Sequence, residues 1–208
     1  MTYVNTGTVY GTLLNFRAEV AALAPQMNEA PYKAPPKAPI LYIKTANTWS
    51  PNGAGIPLPK SVAKVEVGAT IGMVMKAPGE VAGYVLLNDL SIPHGSFYRP
   101  PVKFKNLDGF LGVGPKLVPP ELAGDPETFM LEVHINGELV QTVEFANLVR
   151  SAPQLLADVT SFMTLQAGDV LMLGCDAGRP LAQSGDRIDI SAKNLGLLSN
   201  TLVAEAAA

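Results

Sequence analysis

Cysteine, histidine and positive charge are what this 208-residue sequence has least of. It carries one cysteine, Cys175, two histidines, His94 and His134, and a net charge of −3. A single cysteine excludes a disulfide framework and makes a reducing cytoplasm the default expectation. Neither histidine has a second histidine or a cysteine at ligand spacing, so no Cys/His metal site is readable. There is no basic run and no interleaving of aromatic with basic residues, which leaves no footprint for nucleic acid. No apolar run approaches the roughly 20 residues that a membrane helix requires, and the N-terminus shows neither region of a signal peptide. The nucleophile elbow, the phosphate-binding loop and the dinucleotide fingerprint are also missing.

What is present is an apolar chain, 48% hydrophobic and 16% charged, long enough to bury a core without covalent staples. So little charge hints at an oligomer interface. Glycine (19) and proline (18) are both frequent, which favours many turns and short strands over a helical bundle. Strands are expected at Thr6–Leu14, Ile40–Lys44, Val62–Val67, Thr70–Met75 and Val81–Leu87, the last continuous enough to be buried on both faces. Asn136-Gly137 between Phe129–Ile135 and Glu138–Val143 is a hairpin signal, because both turn positions need positive φ. A short helix is expected over Asn15–Leu23. A second starts at Ser151, with Gln154 at capping-box spacing and Leu155, Leu156, Val159, Phe162 and Met163 in helical register. Three further strands follow, Val170–Leu173, Ile188–Ala192 and Leu198–Val203. Ala30–Pro39 and Thr45–Pro59 read as irregular loops, with Trp49 either a ligand wall or a pin to the core. The fold class is a mixed, β-rich α+β domain over 1–208.

Gly83–Pro115 concentrates the chemistry. Asp89 ends an apolar strand, and Tyr98, Arg99, Lys103 and Lys105 follow it. Glu66 sits at the edge of another strand. Two such carboxylates suit a hard divalent cation, which prefers oxygen ligands. Arg99 suits a bidentate clamp on a substrate carboxylate. His94 lies in the same loop. Cys175 lacks any local signature of a nucleophile.

Several stretches, in order and across nearly the whole chain, resemble the fumarylacetoacetate hydrolase superfamily. They are PYKAPPKAPILYIKTANTW, GYVLLNDLSIPHGSFYRPPVKFKNLDGF, INGELVQ, QLLADVTSFMTLQAGDVLMLG and GLLSN. Within that superfamily they look most like the branch of homoprotocatechuate (4-hydroxyphenylacetate) degradation, and there like the N-terminal half, or separate N-terminal subunit, of a bifunctional isomerase/decarboxylase. The resemblance implies a β-sheet roll with a few short helices, commonly dimeric. It also implies Mg2+ (or Mn2+ or Ca2+) held by a Glu-x-Glu pair and the aspartate of an Asn-Asp motif. Asp89 carries the aspartate. The first glutamate falls on Glu66 and the second on Gly68, which leaves the ion weakly held or absent. The family lysine falls on Lys105, with Asp108 and Phe110 in step. An Asn-Tyr-x-x-His motif falls on Asn15-Phe16, with Glu19 in the histidine's place. A Gly-Thr-Pro falls on Gly174-Cys175-Asp176, and the segment between Met75 and Gly83 is short by a helix.

On that resemblance Lys105 and Glu19 are the catalytic candidates, Arg99, Tyr98, Asn15 and Cys175 the substrate-binding ones, and Asp89 and Glu66 the metal ligands. The implied substrate is a dicarboxylic oxo acid, an oxo-alkenedioate from ring cleavage, to be decarboxylated, isomerised or both. Such chemistry needs an electron sink at the developing enolate rather than an activated water. A metal-deficient structural subunit that pairs with a catalytic family subunit is the alternative, and the partner expected is a second copy in a homodimer or a second family subunit in a heteromer. An acylpyruvate-type C–C hydrolase is disfavoured by the missing histidine.

Overall fold

The computed structural model describes residues 2–95 and 102–205. Tyr98 and Arg99 lie outside the described residues. In chain order the strands and α-helices are β1 (Val9–Leu13), α1 (Arg17–Leu23), β2 (Ile40–Lys44), β3 (Trp49–Pro51), β4 (Gly55–Leu58), β5 (Val65–Glu66), β6 (Ala69–Ala77), β7 (Glu80–Asp89), α2 (Val102–Lys105) and β8 (Leu111–Val113). They continue as α3 (Pro120–Ala123), β9 (Met130–Ile135), β10 (Glu138–Glu144), α4 (Ala152–Thr160), β11 (Val170–Met172), β12 (Leu181–Ala182), β13 (Arg187–Ala192) and β14 (Gly196–Ala204). This is the β-rich α+β class expected from composition and resemblance.

Two sheets carry the fold. A seven-stranded mixed sheet has the order β2-β1-β11-β6-β7-β8-β3, and a five-stranded sheet has the order β10-β9-β13-β14-β4. The main core lies between them, with Ile71, Met73 and Leu86 from the first sheet meeting Leu131, Val133, Ile190 and Leu198 from the second. The opposite face of the large sheet is also covered. There Val74, Val85, Leu87 and Val170 pack with Leu14, Leu23 and Met27 around α1. Side chains alternate between faces along a strand, so Met73 and Val74, or Val85 and Leu86, serve different cores. That explains why β6 and β7 read as continuous apolar runs.

Local chemistry sets the boundaries. Gly79, at φ +75°, closes the β6–β7 hairpin. Asn136 (φ +53°) and Gly137 (φ +84°) turn β9 into β10, as the dipeptide requires. Ser151 Oγ accepts the Gln154 N–H at 3.4 Å at the start of α4.

Three expectations change. The stretch Thr45–Pro59 is not irregular: β3 pairs in parallel with β8 and β4 with β14. Trp49 lies in β3 and packs on the second core, as a pin rather than a ligand wall. The strand expected at Val62–Val67 shrinks to β5, because its pairing with β12 extends over two residues only. Helix α4 ends at Thr160, so Phe162 is 64% exposed instead of continuing the apolar stripe. Among the described residues no helix is long and apolar enough to cross a membrane.

Leu131 is fully buried between the sheets and Leu139 is half exposed on β10. Urea unfolding is expected to show Leu131→Ala losing about 2–5 kcal/mol, while Leu139→Ala stays within about 0.5 kcal/mol of the parent chain.

Candidate functional site

The end of β7 buries Asp89 completely, and four residues converge on its carboxylate. Strand β2 sends two of them from one face, because Tyr42 and Lys44 stand at i and i+2. The Tyr42 hydroxyl donates a short hydrogen bond to Asp89 Oδ2. Its ring lies across Gly11, where a Cβ would stand 2.1 Å from the ring. Lys105, on α2, donates to the same Oδ2 at 2.7 Å and stands 4.9 Å from the centre of the Tyr42 ring. Cys175 Sγ is 3.9 Å away from Oδ2. Lys44 Nζ lies 2.9 Å from Oδ1, an ion-pair distance without the alignment of a hydrogen bond. Its hydrogen bonds run instead to the carbonyls of Leu90 (3.3 Å), Phe110 (2.7 Å) and, at short range, Lys105.

The electrostatics follow from burial and pairing. Burial pushes the Asp89 carboxyl up, but the Lys105 and Lys44 ammoniums outweigh it and hold the carboxyl well below its ordinary range. Burial lowers Lys44 to about 8 against the pull of Asp89. Tyr42 is driven well above its usual value by burial and by the neighbouring carboxylate. Burial raises the Cys175 thiol to about 12, so it is a thiol and not a thiolate nucleophile at neutral pH.

A second cluster opens beside the first. Leu14, at φ +58°, turns β1 into α1, and its N–H donates to Glu19 Oε2 at 2.7 Å. Glu19 Oε1 accepts from Arg179 Nη2 at 2.7 Å, and Arg179 Nη1 stands 3.5 Å from Glu66 Oε2. Burial raises the Glu19 carboxyl, with Arg179 and the Leu14 N–H opposing. Burial works against the Arg179 charge, yet the Cys175, Glu19, Tyr42 and Asp89 groups hold its pKa above the usual value. Glu19, Glu66, Asp176, Arg179 and His94 line a cavity of about 300 Å³. An adjoining cavity of about 640 Å³ shares Gln26, His94 and Gly95 with it. A further one of about 610 Å³, between Thr128–Glu132 and Ser191–Leu195, shares no lining residue with either.

The residues present do not fit a divalent ion. Both Asp89 oxygens already face ammonium groups, and Glu66 faces a guanidinium. A Cβ on Gly68 would stand 2.3 Å from the Asp89 carbonyl oxygen and 3.1 Å from Cys175 Sγ, so a second acid has no room there. Two residues on, Thr70 donates its hydroxyl to the Gly174 carbonyl. Among the described residues no three His, Cys, Asp or Glu side chains group for a metal. Asp89 and Glu66, the expected ligand pair for Mg2+, Mn2+ or Ca2+, thus each face an internal cation in this structure.

Other expected site residues fall differently. Asn15 is a backbone pin: its Nδ2 donates to Leu173 O (2.9 Å) and Arg150 O (3.1 Å), and its Oδ1 accepts the Arg150 N–H at 3.0 Å. Both of its Nδ2 hydrogens are committed to backbone carbonyls. Cys175 is buried under the Asp89 cluster and does not line the cavity. Lys103 is exposed. His94 stacks on Phe104, with ring centres 4.6 Å apart. Asp108 accepts from Asn47 Nδ2 at 2.7 Å, and Phe110 is buried. Tyr42, Lys44 and Arg179 escaped sequence reasoning. The alternation in LYIK puts Tyr42 and Lys44 on one face, which is the one signal that was available.

Comparison with known proteins places this geometry in context. The family model described as fumarylacetoacetate (FAA) hydrolase C-terminal matches residues 8–203. A 4-hydroxyphenylacetate degradation bifunctional isomerase/decarboxylase of Salmonella dublin is 37% identical over 96% of this chain and 48% of its own length. Its Escherichia coli counterpart is 35% identical over the same shares. The chain thus spans about half the length of these curated relatives. A 5-carboxymethyl-2-hydroxymuconate delta-isomerase from Mycobacterium smegmatis superposes with TM-score 0.78 at 22% identity, over 99% of this chain and 82% of that one. Fumarylpyruvate hydrolase from Pseudomonas aeruginosa, in complex with Mn2+ and pyruvate, superposes with TM-score 0.80 at 20% identity, over 96% and 91%. At such identities these two structures speak for the fold.

The Asp89 cluster has a pH signature. The Asp89 pKa is lower folded than unfolded, so its pairing stabilises the chain above the unfolded value of about 4 and the benefit is lost as pH falls below it. Asp89→Asn is expected to cost roughly 3–5 kcal/mol at neutral pH. The gap from the parent chain in chemical denaturation should narrow as pH drops from about 6 toward 2. A gap independent of pH would contradict the ionised pairing.

Proposed function

Because this chain belongs to the fumarylacetoacetate hydrolase family, we propose that residues 1–208 act as one domain that decarboxylates and/or isomerises an oxo-alkenedioate of the homoprotocatechuate route. The chemistry uses the chain's own charges and no divalent ion. The relatives' names support the substrate class. The observation that carries the reading is Glu19, a buried carboxyl with a raised pKa that lines the cavity and feels the Lys105 charge.

Decarboxylation breaks a C–C bond and leaves its electron pair conjugated with the 2-oxo group as a dienolate. The double-bond shift removes a proton at one carbon and returns it at another. Both need positive charge near the developing enolate and a group able to hold a proton near neutral pH. In this reading Glu19 carries the proton across the cavity, its raised pKa bringing it closer to working pH. Lys105, ion-paired with Asp89, supplies the field behind it. Asp89, Tyr42 and Lys44 hold Lys105 in place and do not touch substrate. The cavity is a natural seat for a small dicarboxylate.

A second reading has its own observation. Asp89, Glu19 and Glu66 each face an internal cation, and the chain spans about half the length of its curated relatives. That suits a structural half that pairs with a catalytic family subunit carrying a full Glu-x-Glu. Native mass spectrometry after co-expression with such a subunit decides it. A mixed oligomer supports this reading, and homo-oligomers alone sink it.

For the enzyme reading, the purified chain is expected to turn over the ring-cleavage oxo acid at the same rate with and without EDTA. Glu19→Gln and Lys105→Met should each lose about 10²–10⁴-fold in kcat. Correctly folded parent chain that shows no turnover contradicts autonomous catalysis.

A further inference from the structure

We propose that Arg179 is the built-in cation of this site and its carboxylate-binding residue. One edge of its guanidinium is committed to Glu19, and the other is held loosely by Glu66 and is open to the carboxylate of an oxo acid in the cavity. The two contacts are unequal. Nη2 stands 2.7 Å from a Glu19 side chain that is 6% exposed, whereas Nη1 stands 3.5 Å from a Glu66 side chain that is 26% exposed. The first is a charge-assisted hydrogen bond at full strength, and the second is at the limit of one. A planar guanidinium offers a carboxylate two parallel donors, so an incoming carboxylate can take the Nη1 edge as Glu66 turns toward solvent.

The turn that presents Arg179 is fastened at several points. Gly178 (φ +67°) precedes it, the Pro180 carbonyl accepts the Val67 N–H at 2.9 Å, and the Ala177 carbonyl accepts Gln141 Nε2 at 3.0 Å. The guanidinium is therefore a fixed charge at the cavity wall and not a surface arginine that happens to touch it. It also answers why the site does without a divalent ion. Two of the acids that line the cavity with it, Glu19 and Glu66, already face a cation that the sequence itself supplies.

The ligand class rests on the reaction proposed above, but the readouts do not require turnover. The EDTA-treated full chain is titrated with pyruvate, the probe for a 2-oxo carboxylate, while thermal unfolding is followed. Separately, Mn2+ is added and the electron paramagnetic resonance signal of free Mn2+ is measured. We expect pyruvate to raise the unfolding midpoint in EDTA. Arg179→Gln should abolish that response, and Arg179→Lys should retain part of it. Glu66→Gln, which removes the competing carboxylate at a partly exposed position, should bind pyruvate severalfold more tightly. The free Mn2+ signal should stay undiminished beside an equimolar amount of chain. The proposal is overturned by stoichiometric Mn2+ uptake, by a wild-type pyruvate response that is absent or needs a metal, by a response surviving in Arg179→Gln, or by weaker binding in Glu66→Gln. If Arg179→Gln does not fold, the Glu66→Gln and Mn2+ measurements still decide. Loss of catalysis with these binding results intact would overturn the enzyme reading and leave this one standing.

Discussion

A carboxylate with no solvent exposure has to be neutralised where it stands, and Asp89 is neutralised by two ammonium groups from distant parts of the chain. An unpaired ion at that depth would cost several kcal/mol, so the fold around it is constrained to deliver both partners. Lys44 does more than balance charge. Its three donors fasten the carbonyls of Leu90, Lys105 and Phe110, which are the chain after β7, the end of α2 and the entry to β8. One buried ammonium thus reinforces the β7–β8 pairing and ties the end of α2 to it. The position of Lys105 depends on the Lys44 and Asp89 contacts, and the cavity wall depends in turn on the segments they fix.

The same logic extends outward to Arg179. The inner cluster pairs one acid with two bases, and the outer one pairs two acids with one base. Counted as ions those six groups balance, with Asp176 a further acid at the cavity wall. A fold whose relatives include a Mn2+ complex can therefore keep its architecture with the central charge supplied by side chains. On the proposed reading, Lewis-acid strength is exchanged for charges that need no loading, which fits chemistry that wants an electron sink better than chemistry that wants a metal-activated water.

Much of the architecture was legible in the sequence because it rests on local signals. The Asn136-Gly137 hairpin, the Ser151 cap and the apolar runs of β6 and β7 each follow from short-range sterics or alternation. Asp89 and Lys105 were legible through the resemblance. Tyr42 and Lys44 were not, because their partners lie 47 and 61 residues away and nothing local distinguishes LYIK from an ordinary strand. The Glu66–Arg179 contact was hidden for a related reason. A carboxylate at a strand edge looks like a ligand until the turn carrying Arg179 folds back over it. Gly68 was read as a lost ligand, and the structure gives the loss a steric cause, since the Asp89 backbone and Cys175 fill the space a side chain would need.

The central claim is that internal cations occupy the electrostatic role of a divalent ion. The most direct measurement is anomalous diffraction at the manganese edge from crystals of the full chain grown with MnCl2. The account expects no anomalous peak near Asp89, with Lys44 and Lys105 both within ion-pair distance of its carboxylate. A peak coordinated by Asp89, with either ammonium displaced, would contradict it.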